Sequence, residues 1–157
     1  MLIILPAFAF GQTIHVKDKK IVYEGKEDLG RRVRAISPAS IRIMSGVSTD
    51  SVASEEVRDS LLVKGKMKLE SPYHLKRYVN YCLKLTPLDN GYKYLIDCVY
   101  FTEQERGGKT DTLSSEKMLE NMGDTGNIVG ETEKTLNETD MRFQKLLAVL
   151  RKEMRKG

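Results

Sequence analysis

Residues 73–104, YHLKRYVNYCLKLTPLDNGYKYLIDCVYFTEQ, constrain the fold more than any other stretch, because two apolar-alternating runs meet head to tail at Asp89-Asn90-Gly91. Asn-Gly or Asp-x-Gly between such runs supplies the tight turn of a β-hairpin. Its register decides which face each side chain takes, and two registers compete. A three-residue loop, Asp89-Asn90-Gly91, sets Leu88 opposite Tyr92 and Cys82 opposite Cys98. It asks no ladder hydrogen bond of Pro87, buries Val79, Leu83, Leu85, Leu95, Val99 and Phe101, and turns the tyrosines outward. Its weakness is Asp97, which lands on the apolar face and needs a buried partner there. A two-residue Asn90-Gly91 turn sets Lys84 opposite Asp97, yet demands a hydrogen bond that Pro87 has no N–H to give. The first register is preferred. It makes Cys82 and Cys98 a widely spaced pair, so facing thiols are expected rather than a disulfide.

The chain before the hairpin adds a third strand. Leu61, Val63, Gly65, Met67 and Leu69 alternate with Lys64, Lys66 and Lys68, the pattern of a half-buried strand, and 58–104 then read as an antiparallel meander. Residues 13–16 and 20–24 read as a small hairpin about Lys17-Asp18-Lys19. Residues 26–44 read as two short helical pieces restarted at Ser37-Pro38, with Arg31, Arg32, Arg34 and Arg42 on a solvated face. Residues 45–56 lack any period and read as a loop.

Beyond the hairpin, residues 105–111 read as a flexible connection, and Ser114 as the cap of a short helix to about Met122 with Leu119 and Met122 inward. Gly123, Gly126 and Gly130 are not followed by Gly-Lys-Ser/Thr, so they are not a phosphate loop. Residues 131–155 carry Leu136, Phe143, Leu146, Leu147, Leu150 and Met154 on one stripe of a long amphipathic helix, acids early and bases late. The predicted class is α+β, an antiparallel sheet with helices packed on one face. At 157 residues the chain suits one domain, 12–157, and its net charge of +4 is too small to mark a nucleic-acid binder.

Residues 1–11, apolar and closed by small residues, read as an export signal. The positive region that opens such signals is missing, so the true start is expected upstream or the start codon miscalled. The run is too short to span a bilayer, and no Cys near it marks a lipid anchor. A product of the periplasm or the extracellular space, without a transmembrane span, is expected.

The order of parts, "IHVKDKKIVYEG", a basic segment, "LLVKGKMKL", "YVNYCLKLTPLDNGYKYLIDCVYF" and a long terminal helix, resembles the secreted Bacteroidota domain-of-unknown-function family 4468, which has a TATA-binding-protein-like fold. The resemblance implies a curved antiparallel sheet with helices on one face and an envelope location. It implies no activity, and the fold name does not carry DNA binding with it. Asp50-Ser51-Val52, Asp59-Ser60-Leu61 and Asp111-Thr112-Leu113 are similar to the short O-glycan acceptor pattern of that phylum, marking Ser51, Ser60 and Thr112.

Catalytic chemistry finds few residues to work with. The histidines are His15 and His74, neither near a nucleophile-elbow pattern, and metal-ligand spacing is absent. No enzyme, cofactor or metal is expected; the alternative is a small hydrolase using His74 and a carboxylate such as Asp97. The sheet face opposite the helices is richer, gathering Lys64, Lys66, Lys68, Tyr78, Asn80, Lys84, Tyr92, Tyr94 and Tyr100. Rings among ammonium groups can stack on sugars and pair with anions. They can equally be an ordinary sheet surface. The function expected is a non-catalytic binding or scaffolding module of the cell envelope. Its partner would be an envelope glycan, acidic lipopolysaccharide or protein, and not nucleic acid.

Overall fold

The alternating runs become strands, and every pairing between them is antiparallel. In the computed structural model the described residues are 14–33, 53–57, 60–72, 74–121 and 127–156. They form β1 (Val16–Lys17), β2 (Lys20–Ile21), β3 (Tyr23–Asp28), β4 (Ala53–Val57), β5 (Ser60–Leu69), β6 (Leu75–Leu88), β7 (Gly91–Glu105) and β8 (Thr110–Ser114), then α1 (Ser115–Asn121) and α2 (Asn127–Lys156). The first two strands make the small hairpin, closed by Asp18 and Lys19 at positive φ. The others build a curved six-stranded sheet in the order β3-β7-β6-β5-β4, with β8 also on β7.

Three readings of the chain are corrected here. Residues 26–28 belong to β3 and not to a helix, because β3 finds an unpaired edge on β7. Residues 53–56, read as loop, belong to β4, which pairs with β5. The connection at 105–111 is mostly a hairpin: Gly107 and Gly108, both at φ 120°, turn the chain so that β8 lies against Tyr100–Gln104. The helical restart at Ser37-Pro38, Arg34, Arg42, Met122 and the export signal lie outside the described residues.

Neither expected hairpin register holds next to the turn. The loop is Asp89-Asn90, and Leu88 faces Gly91. Gly91, read as part of the turn, is the first residue of β7. Its structural requirement is a different one, since a Cβ there would collide with the carbonyl oxygen of Glu27 on β3. Pro87 pairs with Tyr92 beyond the end of the β5–β6 ladder, which stops at Leu61–Leu85, so β5 asks it for no hydrogen bond. Further along, Cys82 faces Asp97, Asn80 faces Tyr100, and the register shifts between them. That shift is a β-bulge. Cys98 is its extra residue, in the left-handed region at φ 53°. Past it, Asn80–Tyr100 and Val79–Phe101 are the pairs that the three-residue loop predicts.

The bulge resolves the problem of Asp97. One extra residue inverts the alternation of β7, so even-numbered residues face inward before Cys98 and odd-numbered ones after it. Tyr92 and Ile96 are buried on one side of the bulge, Val99 and Phe101 on the other. Asp97 therefore turns outward, and so does Leu95, which was expected inside and is only half-buried. The outer edge of β7 shows why a bulge fits here: β3 pairs with Gly91–Ile96 and β8 with Tyr100–Gln104, leaving 97–99 in the gap between them.

The helices cover the inner face. Leu136, Phe143, Leu146, Leu147, Leu150 and Met154 of α2 are all buried in one core with Tyr23, Val79, Tyr81, Leu83, Leu85, Ile96 and Phe101. Phe143 meets Tyr23 and Tyr81 edge to face, with centroids 5.2 and 5.4 Å apart. The inward tyrosines fit because Gly65 and Gly25 leave room for the rings of Tyr81 and Tyr94. Polar bonds fix the helix on the sheet. The Tyr23 hydroxyl donates to Asp140, and the buried Arg77 reaches Glu103 (2.8 Å), Thr135 (3.0 Å) and Glu131 (3.1 Å). Arg31, expected on a solvated helix face, donates to the carbonyls of Met154 and Arg155 and so caps the C-terminus of α2. Ser114 caps α1 by accepting from the Lys117 N–H, and Met118 enters the core while Leu119 is half-buried.

Candidate functional site on the outer sheet face

Strand pairing assembles the outer face row by row. Partners across a ladder share a face, so Lys64 stands beside Cys82 and Asp97, Lys66 beside Asn80 and Tyr100, and Lys68 beside Tyr78 and Thr102. Lys84 lies between Leu62 and Leu95. The Lys66 ammonium sits 4.1 Å from the centroid of the Tyr78 ring, a cation–π contact. Asn80 donates to the Thr102 hydroxyl at 3.2 Å, and Tyr100 is one of the few large apolar side chains left exposed among the described residues. With Lys76 and Lys93 the described outer face of β5, β6 and β7 carries six lysines against one carboxylate, Asp97.

Two expected members are elsewhere. Tyr92 and Tyr94 precede the bulge and point inward, where burial and the nearby Glu27 carboxylate push the Tyr92 hydroxyl up to about 12. Tyr94 shifts up for the same reasons. The other seven, Lys64, Lys66, Lys68, Tyr78, Asn80, Lys84 and Tyr100, share the outer face as expected.

The pair proposed for hydrolysis does not meet. Asp97 faces Cys82, eight residues along β6 from His74, or about 26 Å at the rise of a strand. His74 is exposed and lines a concavity of about 440 Å³ with Lys76, Gln104 and Arg106. His15 stacks on Tyr23 with centroids 4.5 Å apart. Of the modification sites, Thr112 is exposed on β8, Ser60 is half-buried beside the Thr86 hydroxyl at 3.2 Å, and Ser51 lies outside the described residues.

The bulge also creates a group that the residue pattern hid. The Sγ atoms of Cys82 and Cys98 and a carboxylate oxygen of Asp97 all lie within 4.8 Å of one another. Both cysteines are free thiols, adjacent without being ladder partners. Partial desolvation of its sulfur, a hydrogen bond with Cys82 and the charge of Asp97 push the Cys98 thiol up to about 11, although the residue itself is exposed. The signal available in the sequence was Asp97 itself, an acid on a face that regular alternation would bury.

Taken with its helix-covered inner face, this open antiparallel sheet makes an α+β fold. Two solved structures share the fold. A TBP-like protein from Parabacteroides distasonis matches at TM-score 0.54 and 17% identity, over 87% of this chain and 96% of that one. A DUF4468 family protein from Bacteroides ovatus matches at TM-score 0.54 and 10% identity, over 87% and 89%. No family model matches the sequence, and no curated protein does. No helix among the described residues is long and apolar enough to cross a membrane.

Proposed function

We propose that the chain is a non-catalytic binding module of the bacterial cell envelope, whose outer sheet face takes an acidic glycan. The observation that carries this reading is the lysine and aromatic surface on β5, β6 and β7, centred on the Lys66–Tyr78 contact. Alternate residues on β5 space the ammonium groups about 7 Å apart. A linear polyanion along the strand therefore meets one charge after another, Tyr78 holds the Lys66 ammonium among them, and the exposed Tyr100 offers its ring to apolar sugar surfaces. The apolar run of residues 1–11, read as an export signal, favours the envelope, in the periplasm or outside the cell, as the place of action.

Calorimetry with an acidic polysaccharide, and with its carboxyl-reduced form as control, tests the proposal. Lys66→Ala with Tyr78→Ala should weaken binding about tenfold, equivalent to about 1.4 kcal/mol. Stability should change by less than about 0.5 kcal/mol for each surface site. Equal affinity of the double variant and the parent, or equal affinity for the carboxyl-reduced polymer, would refute it.

A further inference from the structure

We propose that Cys82, Asp97 and Cys98 form a binding site for a soft divalent cation of the zinc class, with two thiolates and one carboxylate as protein ligands and solvent completing the sphere. Three ligand atoms within 4.8 Å of one another need only small side-chain rotations to converge on one ion, since Zn–S and Zn–O bonds are about 2.3 and 2.0–2.2 Å. Two sulfurs select a thiophilic metal over calcium or magnesium, which prefer an all-oxygen shell.

The backbone is arranged for this convergence. Asp97 and Cys98 are consecutive, and regular alternation would send them to opposite faces of the sheet. The left-handed conformation of Cys98, which residues other than glycine adopt at a cost, brings both to the side of Cys82. Their position in the gap between β3 and β8 means that, among the described residues, no strand pairs with the backbone of 97–99 on that edge of β7. Cys98 is exposed, which keeps an approach from solvent open for the ion and for a water ligand. Loading converts two thiols to thiolates and releases two protons, so the loaded site carries one net negative charge beside Lys64, the ladder partner of Cys82. The inference stands apart from the glycan reading, because it rests on these three side chains alone.

Cobalt(II) and zinc(II), added to the freshly reduced full chain, test it. One cobalt per chain should produce a thiolate-to-cobalt charge-transfer band that one equivalent of zinc displaces. Cys82→Ser and Cys98→Ser should each weaken zinc binding by more than about a hundredfold, beyond the 10–100-fold typical of an outer-shell partner. Asp97→Asn, which keeps both thiols, should weaken it less and leave the band in place. Circular dichroism checks that each variant is folded. Absence of the charge-transfer band in the reduced chain, or zinc binding unchanged by Cys98→Ser, overturns the proposal. So does formation of a Cys82–Cys98 disulfide, seen as loss of two hydrogens in the intact mass, in a chain that binds no zinc once reduced.

Discussion

Replacing Phe143 by alanine should be the most damaging single truncation in α2. The ring is fully buried and lies between Tyr23 and Tyr81, edge to face with both. Phe→Ala in a core typically costs about 3–5 kcal/mol, from lost transfer free energy and the cavity left behind. The upper half of that range is expected, because each aromatic pair contributes about 0.5–1.5 kcal/mol beyond area burial. The surroundings are also held against collapse by Tyr23–Asp140 on one side and by the close fit of Tyr81 over Gly65 on the other. Phe143→Leu keeps most of the apolar volume and removes only the ring geometry, so it should cost about 1–2 kcal/mol. Urea denaturation followed by far-ultraviolet circular dichroism reads both, because the chain has no tryptophan to report by fluorescence. A loss below about 0.5 kcal/mol for Phe143→Ala, the range of surface sites, would show that α2 does not bury this stripe on the sheet.

Stability should fall in alkali, because burial raises Tyr81 and Tyr92 to about 12 and Tyr23 also lies above its ordinary value. The unfolded chain releases these protons near pH 10 while the folded chain retains them, so the contribution is whole below about pH 10 and lost as pH climbs towards 12. The urea midpoint should therefore drop between about pH 10 and 11.5, less steeply in Tyr81→Phe, and identical slopes for the two proteins would contradict the burial of Tyr81. Cys98→Gly should be neutral or up to about 1 kcal/mol more stable, whereas Cys98→Val should lose about 1–3 kcal/mol at the left-handed bulge position. Equal melting temperatures for the two variants would mean that residue 98 is an ordinary strand residue. Arg77→Met should cost about 1–3 kcal/mol, since Thr135 loses a charged donor and Glu103 its closest cation. No change would show that this network does not fix α2 on the sheet.

The residue pattern carried the architecture well wherever one face of an element is apolar. Strand β5, the two arms of the central hairpin and the α2 stripe were all legible, because burial forces a period of 2 or 3.6 upon them. What escaped depends on non-local pairing. Strands β4 and β8 are short and become strands through their neighbours, β5 and β7, so no periodicity announces them. Gly91 looked like a turn glycine, yet its need is the closeness of Glu27, which lies over sixty positions earlier in the chain. The bulge had the largest effect on the candidate site. By inserting Cys98 it reversed the faces of Tyr92, Tyr94, Leu95 and Asp97 while leaving Tyr100 where it was expected. Seven of nine expected face residues survive because six of them lie on β5 and β6, where the alternation is unbroken, and Tyr100 lies past the bulge.

The outer face as a binding surface for an acidic glycan is tested most directly by titrating the labelled protein with an acidic oligosaccharide and following its amide and side-chain resonances. Saturable shifts should gather on Lys64, Lys66, Lys68, Tyr78, Asn80 and Tyr100, spare the buried stripe of α2, and weaken with added salt as expected for exposed charges. Shifts confined to α2 or to the His74 concavity, or a spectrum that the oligosaccharide leaves unchanged, would contradict the account.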